Sequence, residues 1–235
     1  MGQNFDNPQI SIIIPTLNEA ENIKAAIATT QTSSNTEIIV VDGGSQDDTV
    51  AIAQSLGVKV ISSFPSRAVQ MNTGAAVASG EILLFLHADT LLPIGFDEMI
   101  TTALQQPKVV AGAFALRIDG ALAGLRWVET GVNWRSRWLQ MPYGDQAIFI
   151  TKSVFQKIGG FPELAIMEDF ELIRCLKRIG RITILPVPVI TSARRWIQKG
   201  VWKTTLINQI VIIAYLLGVQ PERIRQWYRQ GFKYI

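Results

Sequence analysis

Residues 81–90 read Glu-Ile-Leu-Leu-Phe-Leu-His-Ala-Asp-Thr. The five apolar residues Ile82–Leu86 match a strand buried on both faces, the kind that lies inside a parallel sheet. The run stops at His87, Ala88 and Asp89. A carboxylate at the carboxyl end of a central strand sits where open α/β sheets bind their ligands. It is also a hard oxygen donor, suited to a divalent cation that carries a diphosphate. A second apolar run, Ile38–Val41, ends in the same way at Asp42-Gly43-Gly44-Ser45. Two strands that aim carboxylates at one edge point to a site for a nucleotide and a metal.

Around these two strands the pattern alternates strand and helix. Strands are expected at Ile10–Ile14, where Pro15 ends the run, and at Glu37–Val41, Val58–Ser62 and Glu81–Leu86. Helices are expected at Glu19–Thr30 behind an Asn18 cap, from Ser45 or Asp47 to Leu56 with Gly57 as the stop, and at Ser66–Ala78 before Gly80. This order implies a parallel sheet with right-handed crossovers. The second half is less regular. It reads as helix Asp97–Gln106, strand Val109–Ile118, a Trp- and Arg-rich stretch Ala121–Leu139 that fits neither template, and strand Ala147–Thr151. Helix Ser153–Ile158, helix Glu168–Ile179, strand Ile182–Leu185 and carboxy-terminal helices follow. There is no internal repeat and no low-complexity segment.

The chain has 235 residues, a hydrophobic fraction of 48% and a net charge of +3. That supports one well-cored domain and excludes a disordered chain. The excess base gathers late, at Arg194, Arg195, Lys199, Lys203, Arg223, Arg225, Arg229 and Lys233. It forms no run and accompanies no nucleic-acid motif, so no nucleic acid is expected as a partner. Cys175 is the only cysteine, which excludes an intrachain disulfide and fits a reducing, cytoplasmic setting with a small buried thiol. The start, Met1 to Gln9, lacks the basic and apolar regions of a signal peptide, and Asp6 stands where myristoylation needs Ser or Thr. The apolar run Ile210–Val219 is too short to cross a bilayer, which takes ~20 residues. It reads as a buried helix, or as one lying at the inner membrane face with Trp202, Lys203, Trp227 and Tyr228 near the head groups.

Six short constellations carry chemistry. Pro15, Thr16 and Glu19 follow the first strand, where Thr16 and Glu19 can bond a base and a ribose. Asp42 before two glycines can accept from a base N–H or a ribose hydroxyl. Neither a G-x-G-x-x-G nor a G-x-x-x-x-G-K-[ST] loop is present, which lowers dehydrogenase and ATPase readings. Arg67 can pair with a diphosphate. Asp89 is the best metal ligand in the chain, and His87, the only histidine, rules out a multi-histidine zinc site. Glu168-Asp169 at a helix start are either caps or a general base. Arg194-Arg195-Trp196 can hold a diphosphate and offer an aromatic face for stacking.

In order and spacing, PTLNE, VDGGSQDDT, LLFLHADT, MEDFEL and the Arg-Arg-Trp segment resemble the family 2 glycosyltransferases of GT-A fold, nearest to small bacterial members with HADT and SARRW. The resemblance covers Ile10 to Trp196. It implies a single α/β domain with a Rossmann-like, mostly parallel sheet. A nucleotide-binding half would span about 8–120, an acceptor half about 121–200 and a helical tail about 201–235. It implies Pro15, Thr16, Glu19, Asp42 and Arg67 as donor contacts and His87-Ala88-Asp89 in the D-x-D position, with Asp89 holding Mg²⁺ or Mn²⁺. Asp169 matches the catalytic base. Asp145 and Gln146 fall on the acceptor side, and Glu168, Arg194, Arg195 and Trp196 near the diphosphate and acceptor. His87 stands where the family pattern has its first aspartate, and no glutamine precedes the Arg-Arg-Trp segment, which argues against a processive synthase. The implied reaction is an inverting, metal-dependent sugar transfer. The default donor is a UDP-sugar, with GDP-mannose second, and the acceptor hydroxyl is lipid-linked or on a small molecule. A nucleotidyltransferase of related fold and an inert nucleotide-sugar-binding module are the rivals.

Overall fold

The structure, a computed structural model, describes residues 9–230, with side chains as far as residue 228. The readings at Met1, Gly2, Asp6 and Lys233, and the Arg229 side chain, lie outside the described residues. The first half runs β1 (Ile10–Thr16), α1 (Ile23–Thr30), β2 (Thr36–Asp42), α2 (Thr49–Ser55), β3 (Lys59–Ser62), α3 (Arg67–Val77) and β4 (Ile82–Phe85). Then come β5 (Thr90–Leu91), α4 (Phe96–Leu104), β6 (Val109–Asp119), α5 (Ala123–Leu139), a 3-10 turn at Gly144–Gln146 and β7 (Ile148–Thr151). The chain continues through α6 (Lys152–Lys157), α7 (Glu168–Lys177), β8 (Arg181–Ser192), α8 (Arg194–Lys199), α9 (Val201–Leu216) and α10 (Pro221–Gln230).

One sheet holds all eight of these strands in the order β3-β2-β1-β4-β7-β6-β8-β5. β3, β2, β1 and β4 pair in parallel, as their strand–helix–strand connections require. Beyond β4 the sheet is mixed. β7 runs antiparallel to both β4 and β6, β8 lies parallel to β6, and β5 is antiparallel to β8. The wholly parallel arrangement expected from the sequence therefore holds only from β3 to β4.

Side chains alternate across this sheet with period two. Ile12, Ile14, Leu84, Phe114 and Phe149 enter one buried cluster, while Ile13, Leu83, Phe85, Ile148 and Ile150 enter another on the opposite face. Burying each such side chain contributes about 1.5–3 kcal/mol. Gly112 in β6 shows how tight the centre is. A Cβ there would lie 2.3 Å from the Phe149 ring and 2.8 Å from the Thr183 carbonyl. Backbone cannot yield cheaply, so Gly112→Ala should destabilise the fold by about 1–3 kcal/mol through overpacking, read as a lower denaturation midpoint in urea.

Several expected boundaries shift for tertiary reasons. β1 does not stop at Ile14 but continues through Pro15 to Thr16, in register with β2. Ile13 faces β4, where its carbonyl accepts from Leu86 N–H, and the β4 ladder ends at Phe85. Pro15 lies one step beyond that ladder, so its missing N–H interrupts no pairing between β1 and β4. The first helix begins at Ile23 rather than Glu19. Asn18 adopts a left-handed φ of 55° and does not cap it. Its Oδ1 accepts from Gln46 N–H, and Ala20 N–H donates to Asp47, which ties this loop to the β2–α2 loop. The unassigned Ala121–Leu139 stretch is mostly helix α5. β8 extends far past Leu185 to Ser192, with Pro186 and Pro188 at the shift in its register against β6. Cys175 is half-buried.

A third cluster lies off the sheet. Val211 and Ala214 of α9 and Ile224 of α10 pack on Met167 and Phe170 at the start of α7. The tail is therefore anchored against the segment that carries Glu168 and Asp169. Trp227 packs against this cluster, so α10 turns its aromatic side inward.

Candidate active site

The carboxyl ends of β1, β2 and β4 build one wall. Thr16 and Asp42 end paired strands in register, and both are buried. The Gln70 amide, on α3, donates to the carbonyls of Thr16 and Val41 at 2.8 Å each and locks the two strand ends together. Asp42 is occupied by its own loop. One carboxylate oxygen accepts from the N–H groups of Gly44 and Ser45, the other from the hydroxyls of Ser45 and Thr16. A carboxylate offers about four acceptor positions, so Asp42 shapes the Gly43-Gly44 turn and has little capacity left for a base or ribose.

Past β4, charged groups from distant parts of the chain converge. Arg194 at the start of α8 forms a 2.9 Å ion pair with Glu19 from the β1–α1 loop. Burial, and then the Glu19 charge, pushes the Asp89 carboxyl above its ordinary range, against the pull of Arg194 and Arg67. Arg67, at the start of α3, bridges to Glu168 of α7 at 3.3 Å. More than half of the Arg67 side chain stays exposed; partial desolvation works against its charge, and Glu168, Asp169 and Asp89 together outweigh it and raise its pKa. Arg195 is depressed by burial and by Arg67, and its guanidinium lies 4.4 Å from the ring centre of Tyr228 on α10. Glu168 is buried, and burial followed by the Asp169 charge raises its pKa against Arg67.

Asp169 faces the loop before β7. Its Oδ2 accepts the Gly144 N–H at 2.8 Å, and Oδ1 accepts the N–H of Phe170 at 2.7 Å. A Cβ on Gly144 would lie 3.0 Å from His87 Nε2 and 3.3 Å from Asp169 Oδ2, so the glycine admits both groups to one spot. Burial, then the Arg67 charge, holds the His87 imidazole down at about 3, so it is neutral. Met167 enters α7 with a left-handed φ of 72°, a strained conformation for a long side chain directly before Glu168 and Asp169. Asp145 lies beneath, with a buried Oδ1 that has no partner. Arg135, whose charge acts on Asp145, covers the Tyr143 ring at 3.5 Å.

Asp145 is pushed up to about 6, first by burial and then by Asp169 and Asp89 against Arg135. Its ordinary value is 3.8, so between roughly pH 4 and 6 the native state holds more protons than the unfolded chain. Stability from this group therefore falls as pH rises through that window. Asp145→Asn should raise the melting temperature at pH 7 and lose that advantage near pH 4, as thermal melts across this range would show.

The structure thus gathers Glu19, Arg67, His87, Asp89, Asp145, Glu168, Asp169, Arg194 and Arg195 at one rim. Gln146 and Trp196 do not join it. Both ends of the Gln146 amide are engaged inside, with Ser136 and the Phe114 carbonyl, so Gln146 holds the turn that presents Gly144. Trp196 and Ala88 sit in the core, and the indole offers no open face for stacking. Gln70, Arg135 and Tyr143 escaped the sequence reading. Gln70 sits one helical turn after Arg67 and so shares its face, while Arg135 and Tyr143 gave no local signal.

Among the described residues, no three His, Cys, Asp or Glu side chains converge as a ready metal cage. Asp89 accepts a 3.4 Å bond from the Thr90 hydroxyl and one from its own backbone N–H, which leaves acceptor positions on the carboxylate for a cation. One hard carboxylate suits Mg²⁺ or Mn²⁺ that arrives with diphosphate and water as its remaining ligands.

A sequence profile described as Glycosyl transferase family 2 matches residues 11–161. The chain is 40% identical to the uncharacterized glycosyltransferase RT0329 of Rickettsia typhi, over 73% of this chain and 59% of that protein. It is 30% identical to RP339 of Rickettsia prowazekii with the same coverage. Against the probable glycosyltransferase YdaM of Bacillus subtilis it is 24% identical over 89% of this chain and 57% of the relative. The chain thus spans under three fifths of the length of these relatives. Among solved structures, the mannosyltransferase PcManGT of Pyrobaculum calidifontis in complex with GDP-Man and Mn²⁺ superposes with a TM-score of 0.66. It is 20% identical, over 97% of this chain and 71% of that one. The glucosyl-3-phosphoglycerate synthase of Mycobacterium tuberculosis, solved with Mn²⁺ and UDP, gives 0.58 at 22% identity over 77% and 71%. These likenesses establish the GT-A fold. The chain belongs to glycosyltransferase family 2.

Proposed function

We propose that this chain transfers a sugar from a nucleoside-diphosphate sugar to an acceptor hydroxyl with inversion at the anomeric carbon. The observation that carries the reading is that Gly144 brings His87, two residues before Asp89, to the same spot as Asp169 Oδ2, with Arg67 acting electrostatically on both aspartates. Glu19 and Pro15 line the donor end, and buried Thr16 and Asp42 support it by holding the glycine turn. Asp89 would hold Mg²⁺ or Mn²⁺, which would supply charge neutralisation at the diphosphate. Arg194 and Arg195 add cationic donors for the departing oxygens, preorganised by Glu19 and by Tyr228. Asp169, held by the Gly144 N–H, takes the proton from the acceptor hydroxyl, which attacks the face opposite the leaving group. His87 stays neutral and adds no cation beside that base. Asp145 lies on the acceptor side.

The donors are UDP-sugars first and GDP-mannose second, as the solved neighbours bind GDP-Man in one case and UDP in another. A thermal-shift screen of UDP, GDP and dTDP with and without Mn²⁺ tests this. Binding to the native state at 100 times Kd stabilises by about 2.7 kcal/mol, which is visible as a rise in melting temperature. A rise with one nucleoside diphosphate that requires Mn²⁺ is the expected result, and no shift with any of them would refute the reading.

A further inference from the structure

Four of the six tryptophans lie on the outside of two touching helices. On α5, Trp127, Trp134 and Trp138 are 72%, 59% and 76% exposed, and their i, i+7, i+11 spacing puts them on one face. On α9, Trp202, Leu206, Ile213 and Leu216 form a second exposed stripe on one side of the helix. The helices meet where a Cβ on Gly124 would lie 3.2 Å from Val201 and 3.8 Å from the Trp202 indole. The inward faces already serve the fold, with Val128 and Val132 of α5 on the main core and Val211 and Ala214 of α9 on the third cluster. The outward aromatic faces keep more than half of their surface open to solvent.

Charge identifies what covers them. From Leu172 to Pro221 there is no Asp or Glu, while Arg194, Arg195, Lys199 and Lys203 lie on α8 and the first turn of α9. Arg137 stands between Trp134 and Trp138, and neither Arg137 nor Lys203 has an ion-pair partner among the described residues. A second copy would bring like charges together across a two-fold axis, and lysine is depleted at protein interfaces. Exposed indoles beside unpaired bases are instead the composition of an interface with anionic head groups. No helix among the described residues is long and apolar enough to cross a membrane, so such a surface lies on a bilayer.

We propose that the outer faces of α5 and α9 form a docking surface for an anionic lipid bilayer. The surface leads through Gly200 into α8, which carries Arg194 and Arg195, so docking sets the candidate site near the membrane plane. The proposal does not depend on the transferase reading.

Co-sedimentation of the intact chain with phosphatidylcholine vesicles, with and without phosphatidylglycerol, tests it. Binding to the anionic vesicles at low salt, with a blue shift of tryptophan emission, is the expected result. Trp134→Ser with Trp138→Ser should weaken binding about tenfold or more, and Lys203→Gln with Arg137→Gln about fivefold per charge. All four positions are exposed, so melting temperatures should hold, and Trp138→Ser alone at the end of α5 gives the same direction should the pair melt early. Absence of binding to anionic vesicles at low salt would overturn the proposal. So would undiminished binding in both double variants, or a dimer in analytical ultracentrifugation that the tryptophan variant dissociates without any vesicle binding.

Discussion

Asp169→Asn should leave donor affinity unchanged and lower turnover by about 10²–10⁴-fold, the usual contribution of a positioned general base. The substitution keeps the shape and keeps an oxygen to accept the Gly144 N–H, so the loop before β7 stays in place, while the Phe170 N–H in the first turn of α7 loses its side-chain acceptor. What it removes is basicity at the one carboxylate oxygen that faces the His87 and Gly144 side of the site. Isothermal titration with the nucleoside diphosphate and steady-state kinetics on the same preparation separate the two effects. Weakened donor binding with normal turnover would move the proposed base elsewhere. Asp145 is the nearest alternative, since burial gives it a pKa of about 6.

The second large effect is expected at Asp89. Asp89→Ala removes the proposed first-line ligand. Merely supporting residues around a metal cost 10–100-fold in metal affinity, so the loss here should reach at least about 100-fold. Nucleotide affinity measured without divalent cation should change little, because the Arg194–Glu19 pair and Arg67 remain. The folded protein should not suffer, as burial and Glu19 already act against an ionised Asp89. Titrating Mn²⁺ by electron paramagnetic resonance, with and without nucleotide, measures this directly. Equal Mn²⁺ affinity in the parent and the variant would remove Asp89 from the metal site.

Much of the site was legible because its parts follow strand ends. Asp42 and Asp89 close apolar runs, and Glu168-Asp169 open a helix, so local pattern alone placed them at element boundaries. The parallel first half was legible for the same reason, since alternating strands and helices admit few topologies. The second half was not. β7 enters antiparallel between β4 and β6, a choice made by tertiary pairing that leaves no mark in a four-residue strand. β8 carries two prolines, and only its partner β6 makes it continuous to Ser192.

The same gap separates the expected residues whose side chains reach the rim from those whose side chains do not. Gln146 and Trp196 sit beside true rim residues in sequence, but their side chains point into the core. Asp42 is at the edge as expected, yet four donors from its own loop and from Thr16 occupy it. Tyr228 shows the converse. Its place on α10 suggested a membrane face, and folding instead set its ring beside Arg195.

A sugar nucleotide labelled in both the sugar and the base, incubated with Mn²⁺ and with water or a hydroxyl compound as acceptor, follows the bond that breaks. The sugar label should leave the nucleotide while the base label remains in nucleoside diphosphate, and the reaction should fall away in Asp169→Asn. Base label appearing in the acceptor product, or an intact sugar nucleotide after prolonged incubation with each candidate donor, would contradict sugar transfer at this rim.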